Sequence, residues 1–391
     1  MTSDKRPDYL AFGRPDFTEA EIDAVAAVMR SGWIGQGNET AAFEADLARM
    51  TGAGHVLAVN SCTSALFLSL LALGVGPDDE VIVPSLTWCS TANAALYLGA
   101  RPVFADVDPR SFCITPETVA TRLTARTRAV IPVHMGGLAA DIDGLAEILP
   151  PGVAIIEDAA HALGARDRRG RPIGASGNLV CYSFYANKNL STAEGGAVAT
   201  ADDALADKAR SLRLHALPAD AWRRFTNPNV TFNGGIETLG YKMNYTDLQA
   251  AIGRVQLARL PEMQERRIEI ARRYHARLSN RGIGQFQDGI GLPDHAHHLM
   301  LIRLDAGLLA SRGLTRDALL LALRDVNIGA SVHYHPLHRM PLYRGIDPVS
   351  LPETEALEAT ILTLPISASM TPDDADYVCD HLLDLLAARP S

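Results

Sequence analysis

The sequence CYSFYANKNLSTAEGGA, residues 181–197, joins two short apolar runs and places a lysine among small, neutral neighbours. The chain has only four lysines, Lys5, Lys188, Lys208 and Lys242, so arginine supplies nearly all of its positive charge. Burial away from other charges lowers the pKa of a lysine, and imine chemistry requires a neutral amine. Because arginine cannot provide one, Lys188 is a candidate nucleophile. An ordinary surface lysine in a loop is the alternative interpretation of this segment alone.

Apolar runs alternate with helical segments on both sides of this stretch. Helical spacing of apolar residues predicts helices at 18–31 and 61–73. Short apolar runs predict strands at 81–83, 102–105, 129–133, 153–157, 179–184 and 197–200. This order of elements predicts an α/β fold with a largely parallel sheet.

The second half of the chain predicts a smaller unit. Residues 247–278 predict one long helix, bent or interrupted at Pro261. Strands near 299–304 and 330–333 and helices near 315–326 and 371–388 follow it. We therefore expect a large domain over residues 1–250, with an N-terminal segment that could pack on the second domain, and a smaller α/β domain over residues 251–391.

Composition excludes several functional classes. The net charge of −9 argues against a nucleic-acid binder, which usually carries a basic face. The five cysteines are scattered without CxxC spacing, so neither a disulfide framework nor a zinc or other metal site is expected. Free thiols fit a reducing cytosol, which predicts a cytoplasmic protein. The sequence has no signal-peptide h-region and no apolar run long enough to span a membrane.

An acidic residue ends one of the predicted strands. In VAIIEDAAHALGA, residues 153–165, Asp158 lies at the carboxyl end, where α/β folds bind ligands. A carboxylate there can pair with the protonated pyridine nitrogen of a cofactor, although an N-cap for the following segment is the more ordinary explanation. His161 lies one helical turn later and could face the same site, or be an ordinary hydrogen-bonded histidine.

Two further segments suggest contacts to a planar, phosphorylated ligand. VNSCTSA, residues 59–65, precedes an apolar helix, and the N–H groups at a helix N-terminus can bind phosphate. Serine and threonine also cap ordinary helices, so this signal is weak alone. In PSLTWCSTANA, residues 84–94, Trp88 follows a strand and could stack on a planar cofactor, or lie in a core or an interface.

Together these segments resemble one family. SFYANKN followed by EGG, with EDAAHA, SCTSAL, PSLTW and GYKMNYTDLQAAIG (240–253), resembles the DegT/StrS family of pyridoxal-phosphate-dependent nucleotide-sugar aminotransferases from about residue 12 to the C-terminal helix. Within it the chain looks most like the UDP-4-amino-4-deoxy-L-arabinose aminotransferase type. The resemblance implies the aspartate-aminotransferase-like fold (type I) of PLP-dependent transferases, with a large mixed-sheet domain and a smaller C-terminal domain.

The resemblance also implies roles for individual residues. Lys188 would form the Schiff base with pyridoxal 5'-phosphate (PLP) and move the proton. The cofactor-binding residues would be Asp158 at the pyridine nitrogen, His161 near the ring hydroxyl and Trp88 stacked on the ring. Ser183, Thr63 and the backbone at Ser64 would hold the phosphate, and Asn244 would reach the phosphate bound by the neighbouring subunit. Tyr185, His333 and His335 would lie near the sugar. A homodimer with shared active sites follows from the role of Asn244.

The implied reaction moves an amino group from L-glutamate to a 4-keto sugar on UDP or dTDP, giving 2-oxoglutarate and a 4-amino sugar nucleotide. Candidate partners for the diphosphate are Arg213, Arg223, Arg224 and Arg339. Amination of a 3-keto sugar or a cyclitol stays open. A dehydratase is disfavoured because its relatives carry histidine in place of Lys188, and a non-catalytic sensor of the same fold is the alternative from another class.

Overall fold

The computed structural model describes residues 5–217, 236 and 238–387. Its largest sheet has seven strands in the order β1-β7-β6-β5-β4-β2-β3. The strands are β1 (His55–Val59), β2 (Glu80–Pro84), β3 (Arg101–Ala105), β4 (Thr127–Val130), β5 (Ala154–Asp158), β6 (Leu179–Ser183) and β7 (Gly196–Thr200). Six of the seven match predicted apolar runs, whereas β1 was not predicted.

Strand direction places the ends of six strands at one edge of the sheet. The pairs from β3 through β2, β4 and β5 to β6 are parallel, and β7 is antiparallel to both β6 and β1. The carboxyl ends of β1 to β6 therefore meet the amino end of β7. The prediction of a largely parallel sheet is confirmed, and β7 makes the sheet mixed.

Helices cover both faces of this sheet, which is why β2, β6 and β7 are buried at every residue. The helices in this part of the chain are α1 (Glu19–Ser31), α2 (Asn38–Thr51), α3 (Cys62–Ala72), α4 (Ser90–Leu96), α5 (Pro116–Ala120), α6 (Ile142–Ile148) and α7 (Asp203–Leu212), of which α1 does not pack on the sheet. The first helix begins with a capping box between Thr18 and Glu21. The side chain of Ser61 caps α3, which is apolar all round and packs against β6 and β7. Helix α2 was not predicted.

The longest helix, α8 (Asp247–Leu278), is continuous over 32 residues and packs against α1 and α2. Of the two outcomes predicted at Pro261, a bend or an interruption, the interruption is wrong. Proline removes one backbone donor and clashes with the preceding turn, but Pro261 lies on the exposed side of α8. Tertiary packing of the buried side holds the helix together across it. Among the described helices, none has both the length and the apolarity that a bilayer span needs.

The C-terminal part forms a second, three-stranded antiparallel sheet in the order β10-β9-β8. Its elements are β8 (Gly284–Phe286), β9 (Met300–Leu304), α9 (Ala306–Ser311), α10 (Arg316–Asp325), α11 (Pro352–Glu358), β10 (Ile361–Leu364) and α12 (Pro372–Ala387). The strand predicted at 330–333 is wrong, because Ser331 makes only an isolated bridge to Thr363. The third strand of this sheet is instead β10.

Two hydrophobic cores meet along α8. Its first half contributes Leu257 and Leu260 to a core that also contains strand β6, and its second half contributes Ile270 and Tyr274 to the core of the second sheet. Leu10 joins that second core and forms a parallel bridge with Ile328. We propose that the chain divides within α8 and that its N-terminal segment belongs to the smaller domain.

Candidate active site

A cavity of about 470 Å³ opens at the edge where the carboxyl ends of the parallel strands meet. Loops after β1, β2, β5 and β6 form its walls, together with the residues that precede β7. The segment containing His333 and Tyr334 closes one side from the smaller domain. The cavity therefore lies where open α/β sheets bind their ligands.

Lys188 reaches this cavity from the loop after β6. Its backbone N–H donates to the carbonyl of Tyr185 at 2.9 Å, which fixes a tight turn. Burial lowers the pKa of the Lys188 ammonium to about 8, against the opposing effects of the Cys62 thiol and the Asp158 carboxyl. A lysine with that pKa is a neutral amine in about a quarter of the molecules at pH 7.5. The side chain is therefore ready to act as a nucleophile or as a base.

Asp158 is the last residue of β5 and is 5% exposed. Its carboxylate accepts hydrogen bonds from the Thr91 hydroxyl at 2.9 Å and from the Ala160 N–H at 3.1 Å. Burial raises the pKa of this carboxyl above its usual value. Within the described part of the chain, no lysine, arginine or histidine forms a salt bridge with Asp158. A buried carboxylate of this kind is stabilised when a cationic ligand group faces it.

His161 lies beside Asp158 in the cavity wall and is a neutral imidazole. Burial lowers the pKa of His161 well below its ordinary value. The Gly136 N–H approaches Nδ1 at 3.4 Å, so Nε2 carries the proton and donates to the Tyr334 hydroxyl at 3.1 Å. The two rings are nearly parallel, with centroids 6.1 Å apart. This pair forms a flat, uncharged wall.

Hydroxyl groups cluster at the N-terminus of α3. The Ser61 side chain accepts from the Ser64 N–H at 3.1 Å, and the Thr63 hydroxyl lies 2.7 Å from that of Ser90. Ser61, Thr63, Ser90 and Ser183 all line the cavity. Hydroxyls beside the positive end of a helix are suited to a phosphate group.

Strand β7 begins directly against this helix end. A Cβ atom added to Gly196 would lie 2.5 Å from the backbone nitrogen of Cys62, and one added to Gly195 would lie 2.7 Å from the ring of Tyr245. Both distances are shorter than real side chains tolerate. The two glycines of the EGG motif are therefore needed for close packing beside the N-terminus of α3.

Two aromatic side chains stand at the mouth of the cavity. Trp88 is 61% exposed and its ring centroid lies 6.1 Å from that of Tyr334. Tyr185 is 48% exposed. Exposed aromatic rings beside a cavity offer a face for a planar ligand. Trp88 therefore lines the site and is not part of the core.

The family model of the DegT/DnrJ/EryC1/StrS aminotransferases matches residues 15–383. The chain belongs to this family. It is a sugar aminotransferase that depends on PLP, and its fold is the one predicted for such enzymes.

Relatives of known name cover nearly the whole chain. The spore coat polysaccharide biosynthesis protein SpsC of Bacillus subtilis (strain 168) is 41% identical over 389 residues, 98% of each chain. The crystal structure of the aminotransferase TlmJ from Streptoalloteichus hindustanus has a TM-score of 0.87 at 36% identity and covers 97% of this chain and 99% of its own. The sugar aminotransferase Spr1654 from Streptococcus pneumoniae, in its PLP form, has a TM-score of 0.87 at 29% identity, with coverage of 97% and 98%.

The residues of the cavity fit PLP. The cofactor is a flat pyridine ring with an aldehyde and a phosphate, so it requires an amine, an acid, a flat wall and an anion site. The cavity supplies the Lys188 amine with its lowered pKa, the Asp158 carboxylate without a cationic partner, and the hydroxyl cluster at the start of α3. All three lie around one space of about 470 Å³.

Most of the predicted site residues line this cavity, but three do not. The Ser64 hydroxyl donates to the Asn60 side chain at 2.7 Å, and the Ser64 backbone N–H, the part of this residue predicted to hold the phosphate, donates to the Ser61 side chain at 3.1 Å. Asn244 forms a backbone bridge with Val59, and its amide donates to the Tyr245 carbonyl at 3.1 Å. His335 is exposed, 4.0 Å from Glu358. The structure therefore does not place these three side chains within the cavity of their own chain.

Two of the four predicted diphosphate partners are engaged elsewhere. Arg213 is buried, where it donates to the Ala58 carbonyl at 2.8 Å and pairs with Glu44. Arg339 pairs with two glutamates of α11. Neither arginine lines the cavity. The other two candidates, at 223 and 224, lie outside the described residues.

Some site residues were missed by the sequence analysis. Thr91 follows Trp88 by three residues within the segment 84–94, which was already considered as part of the site. Its hydroxyl could therefore have been recognised as a further candidate. Tyr334 was not among the predicted site residues, although it follows His333, burial raises the pKa of its phenol, and its side chain lines the cavity. His298 contacts Lys188 from 110 residues away along the chain. No local sequence pattern predicts that contact.

Proposed function

We propose that this aminotransferase moves an amino group from L-glutamate to a 4-keto sugar carried on UDP or dTDP, as in the UDP-4-amino-4-deoxy-L-arabinose type. The observation that carries the amino-transfer part is that Lys188 and Asp158 line the same cavity. A lysine amine is the group that a transaminase needs and that a dehydratase of this fold lacks. The family match over most of the chain supports a sugar as the acceptor.

The residues of the cavity divide the work. Bound PLP supplies an electrophilic carbon and an electron-withdrawing ring. The Asp158 carboxylate would hold positive charge at the ring nitrogen, and Thr91 fixes the orientation of that carboxylate. Trp88 would stack on the ring, His161 would lie near the ring hydroxyl, and Thr63 and Ser183 would hold the phosphate.

Lys188 would act as the base that takes a proton from the reacting carbon and as the acid that returns it. With a pKa of about 8, its side chain can both accept and return a proton near neutral pH. The same residue therefore serves the half-reaction with the amino acid and the half-reaction with the keto sugar. The side chain must accept a proton in one direction and return it in the other, because the reaction is reversible.

The substrate side of the cavity is polar but carries little charge. In the described part of the chain, Lys188 is the single lysine or arginine that lines it. Tyr185, Asn187, Glu194 and His333 offer hydrogen-bonding groups, and burial lowers the pKa of His333 to about 3, so its ring is neutral. Such a surface suits the hydroxyl groups of a sugar. We therefore expect cationic groups that do not line the cavity to bind the diphosphate of the substrate.

A second acceptor class stays within the same chemistry. The lining does not distinguish a carbonyl at C4 of the sugar from one at C3, or from one on a cyclitol ring. An incubation with PLP, L-glutamate and a panel of nucleotide 4-keto and 3-keto sugars, analysed by mass and NMR, separates them. We expect an amine at C4 and 2-oxoglutarate as the coproduct. Amination of the 3-keto sugars alone would refute the assignment of the position.

We also propose a homodimer in which Asn244 binds the phosphate in the partner's site. Asn244 forms a bridge with Val59, the last residue of β1, and α3 with its hydroxyl cluster follows β1 in the chain. The side chain of Asn244 nevertheless does not line the cavity of its own chain.

We further propose that the reaction takes place in the reducing cytoplasm. The five cysteines are free in the structure, which is compatible with such a compartment.

Subunit mixing tests the shared site. Lys188→Ala and Asn244→Asp should each be poorly active, the second because its carboxylate repels the phosphate. If Asn244 acts across the dimer, random mixing of the two variants restores about a quarter of the normal sites, all in mixed dimers. Mixing two samples of the same variant is the control. If Asn244 acts only within its own chain, mixing restores nothing.

A further inference from the structure

A buried histidine from the smaller domain contacts the amine of Lys188. His298 Nε2 lies 3.3 Å from Lys188 Nζ, and the histidine side chain is 3% exposed. His298 precedes β9 by two residues, whereas Lys188 follows β6 of the large sheet. The two residues therefore come together only in the folded chain.

The hydrogen bonds around His298 define its tautomer. The amide of Asn189 donates through Nδ2 to the Ala296 carbonyl at 2.6 Å, which directs its oxygen towards His298. That oxygen can only accept, so His298 Nδ1 carries the proton and donates to it at 3.2 Å. Nε2 is then the unprotonated nitrogen, and it presents its lone pair to Lys188.

The His298 ring is held rigidly in this orientation. It stacks on His161 with centroids 4.6 Å apart and 28° between the planes. On the backbone, the N–H groups of His298 and Leu299 both donate to the Gly136 carbonyl at 3.0 Å. The acceptor therefore stays at one position while the lysine side chain moves.

We propose that His298 is a positioning residue that receives the Lys188 amine whenever this amine is not bonded to the cofactor. One N–H of the amine donates to His298 Nε2, and the remaining lone pair stays available for the reacting carbon. Asn189, the residue after Lys188, completes the arrangement because it fixes the tautomer of His298. The inference concerns the family's cofactor chemistry and does not depend on which sugar is the acceptor.

The histidine does not act as a proton store in this arrangement. Burial lowers the pKa of His298 well below its ordinary value, so the proton remains on the lysine. The other titratable groups that face the Lys188 amine are the thiol of Cys62, the carboxyl of Asp158 and the rings of His161 and His333. Within the described part of the chain, none of these groups forms a hydrogen bond with Nζ, whereas His298 Nε2 lies 3.3 Å from it.

The scarcity of lysine makes a direct test practical. Full-length protein loaded with pyridoxamine phosphate leaves the lysine amine free, and lysine labelled with ¹³C at Cε should give four NMR signals. The signal that Lys188→Arg removes belongs to Lys188, and its pH titration reports the proton affinity of the amine. Removing the acceptor should destabilise the ammonium more than the amine, since charged donors form the stronger hydrogen bonds.

We expect His298→Leu to lower the titration midpoint of Lys188 by about one pH unit, a tenfold loss of proton affinity. His298→Gln, which keeps an acceptor, should restore part of that shift. His295→Gln is the matched control, because His295 is buried in the same segment but bonds to His297 and Gln287 instead. The control should leave the Lys188 midpoint unchanged.

An unchanged or raised midpoint in His298→Leu overturns the proposal, as does an equal shift in His295→Gln. If His298→Leu does not fold, Asn189→Ala decides, because loss of the tautomer lock should produce a smaller fall in the same midpoint. In turnover assays at saturating substrate, His298→Gln should reduce kcat and leave KM for the acceptor within about twofold. A change confined to KM would place His298 in substrate binding and overturn its positioning role.

Discussion

The lowered pKa of Lys188 predicts how fast the protein captures PLP as pH changes. Only the neutral amine attacks the cofactor aldehyde. With a pKa of about 8, about 9% of the amine is neutral at pH 7, against about 0.03% for the ordinary value of 10.5, a difference of roughly three hundredfold. Burial of the side chain is the main cause of this lowered value. The effect is large enough to measure.

The two pKa values differ most clearly above pH 8. Between pH 8 and pH 9.5 the neutral fraction rises about twofold for a pKa of about 8 and about thirtyfold for 10.5. Stopped-flow absorbance would follow the capture of PLP by cofactor-free protein over this interval. The same pH series with a simple alkylamine corrects for the titration of PLP itself.

We expect the corrected rate to rise about tenfold per pH unit below pH 7 and to level off above pH 8.5. Lys5→Ala, a change at an exposed lysine near the chain start, should behave like the unaltered protein. A corrected rate that continues to rise tenfold from pH 8.5 to pH 9.5 would refute the argument, because it would show that burial does not depress the amine's pKa.

Three further changes test the site and the fold. Lys188→Ala should abolish turnover in a folded protein, as measured by 2-oxoglutarate release; residual transfer near the normal rate would contradict its role. Asp158→Asn should lower kcat by roughly a hundredfold or more, because a charge facing the ring nitrogen is lost, whereas circular dichroism should show an intact fold. Gly196→Ala should lower the free energy of unfolding by about 1–3 kcal/mol, since its Cβ would meet the backbone of Cys62 at 2.5 Å. Denaturant titration checks this, and an unchanged midpoint would show that the end of α3 can shift freely.

Local patterns were sufficient to predict most elements of the large sheet. Its strands are short runs buried at nearly every residue, and such runs are visible in the sequence because they are continuously apolar. The helix predicted at 247–278 matches α8 (Asp247–Leu278). No interruption occurs at Pro261, because packing of the buried side outweighs a local preference.

The antiparallel direction of β7 could not be predicted in this way. Its sequence is as apolar as those of the parallel strands in the same sheet, and only its pairing with β1 and β6 shows the reversal. Strand β10 was missed and a strand at 330–333 was predicted in its place. Both segments contain β-branched and apolar residues, so the choice between them depends on which one pairs with β9.

The sequence by itself determined the chemistry of the site: one lysine in a neutral setting, an acid at the end of an apolar strand, and hydroxyls at the start of a helix. These signals are visible in the local sequence, because each group stands at a particular position of a strand, loop or helix. Tertiary structure alone decided that Arg213 forms an ion pair with Glu44, that Thr91 orients the carboxylate of Asp158, and that His298 contacts the amine of Lys188. The physical reason is that hydrogen bonds and ion pairs depend on distances of about 3 Å, and residues far apart in the chain acquire those distances only when the sheets and helices pack.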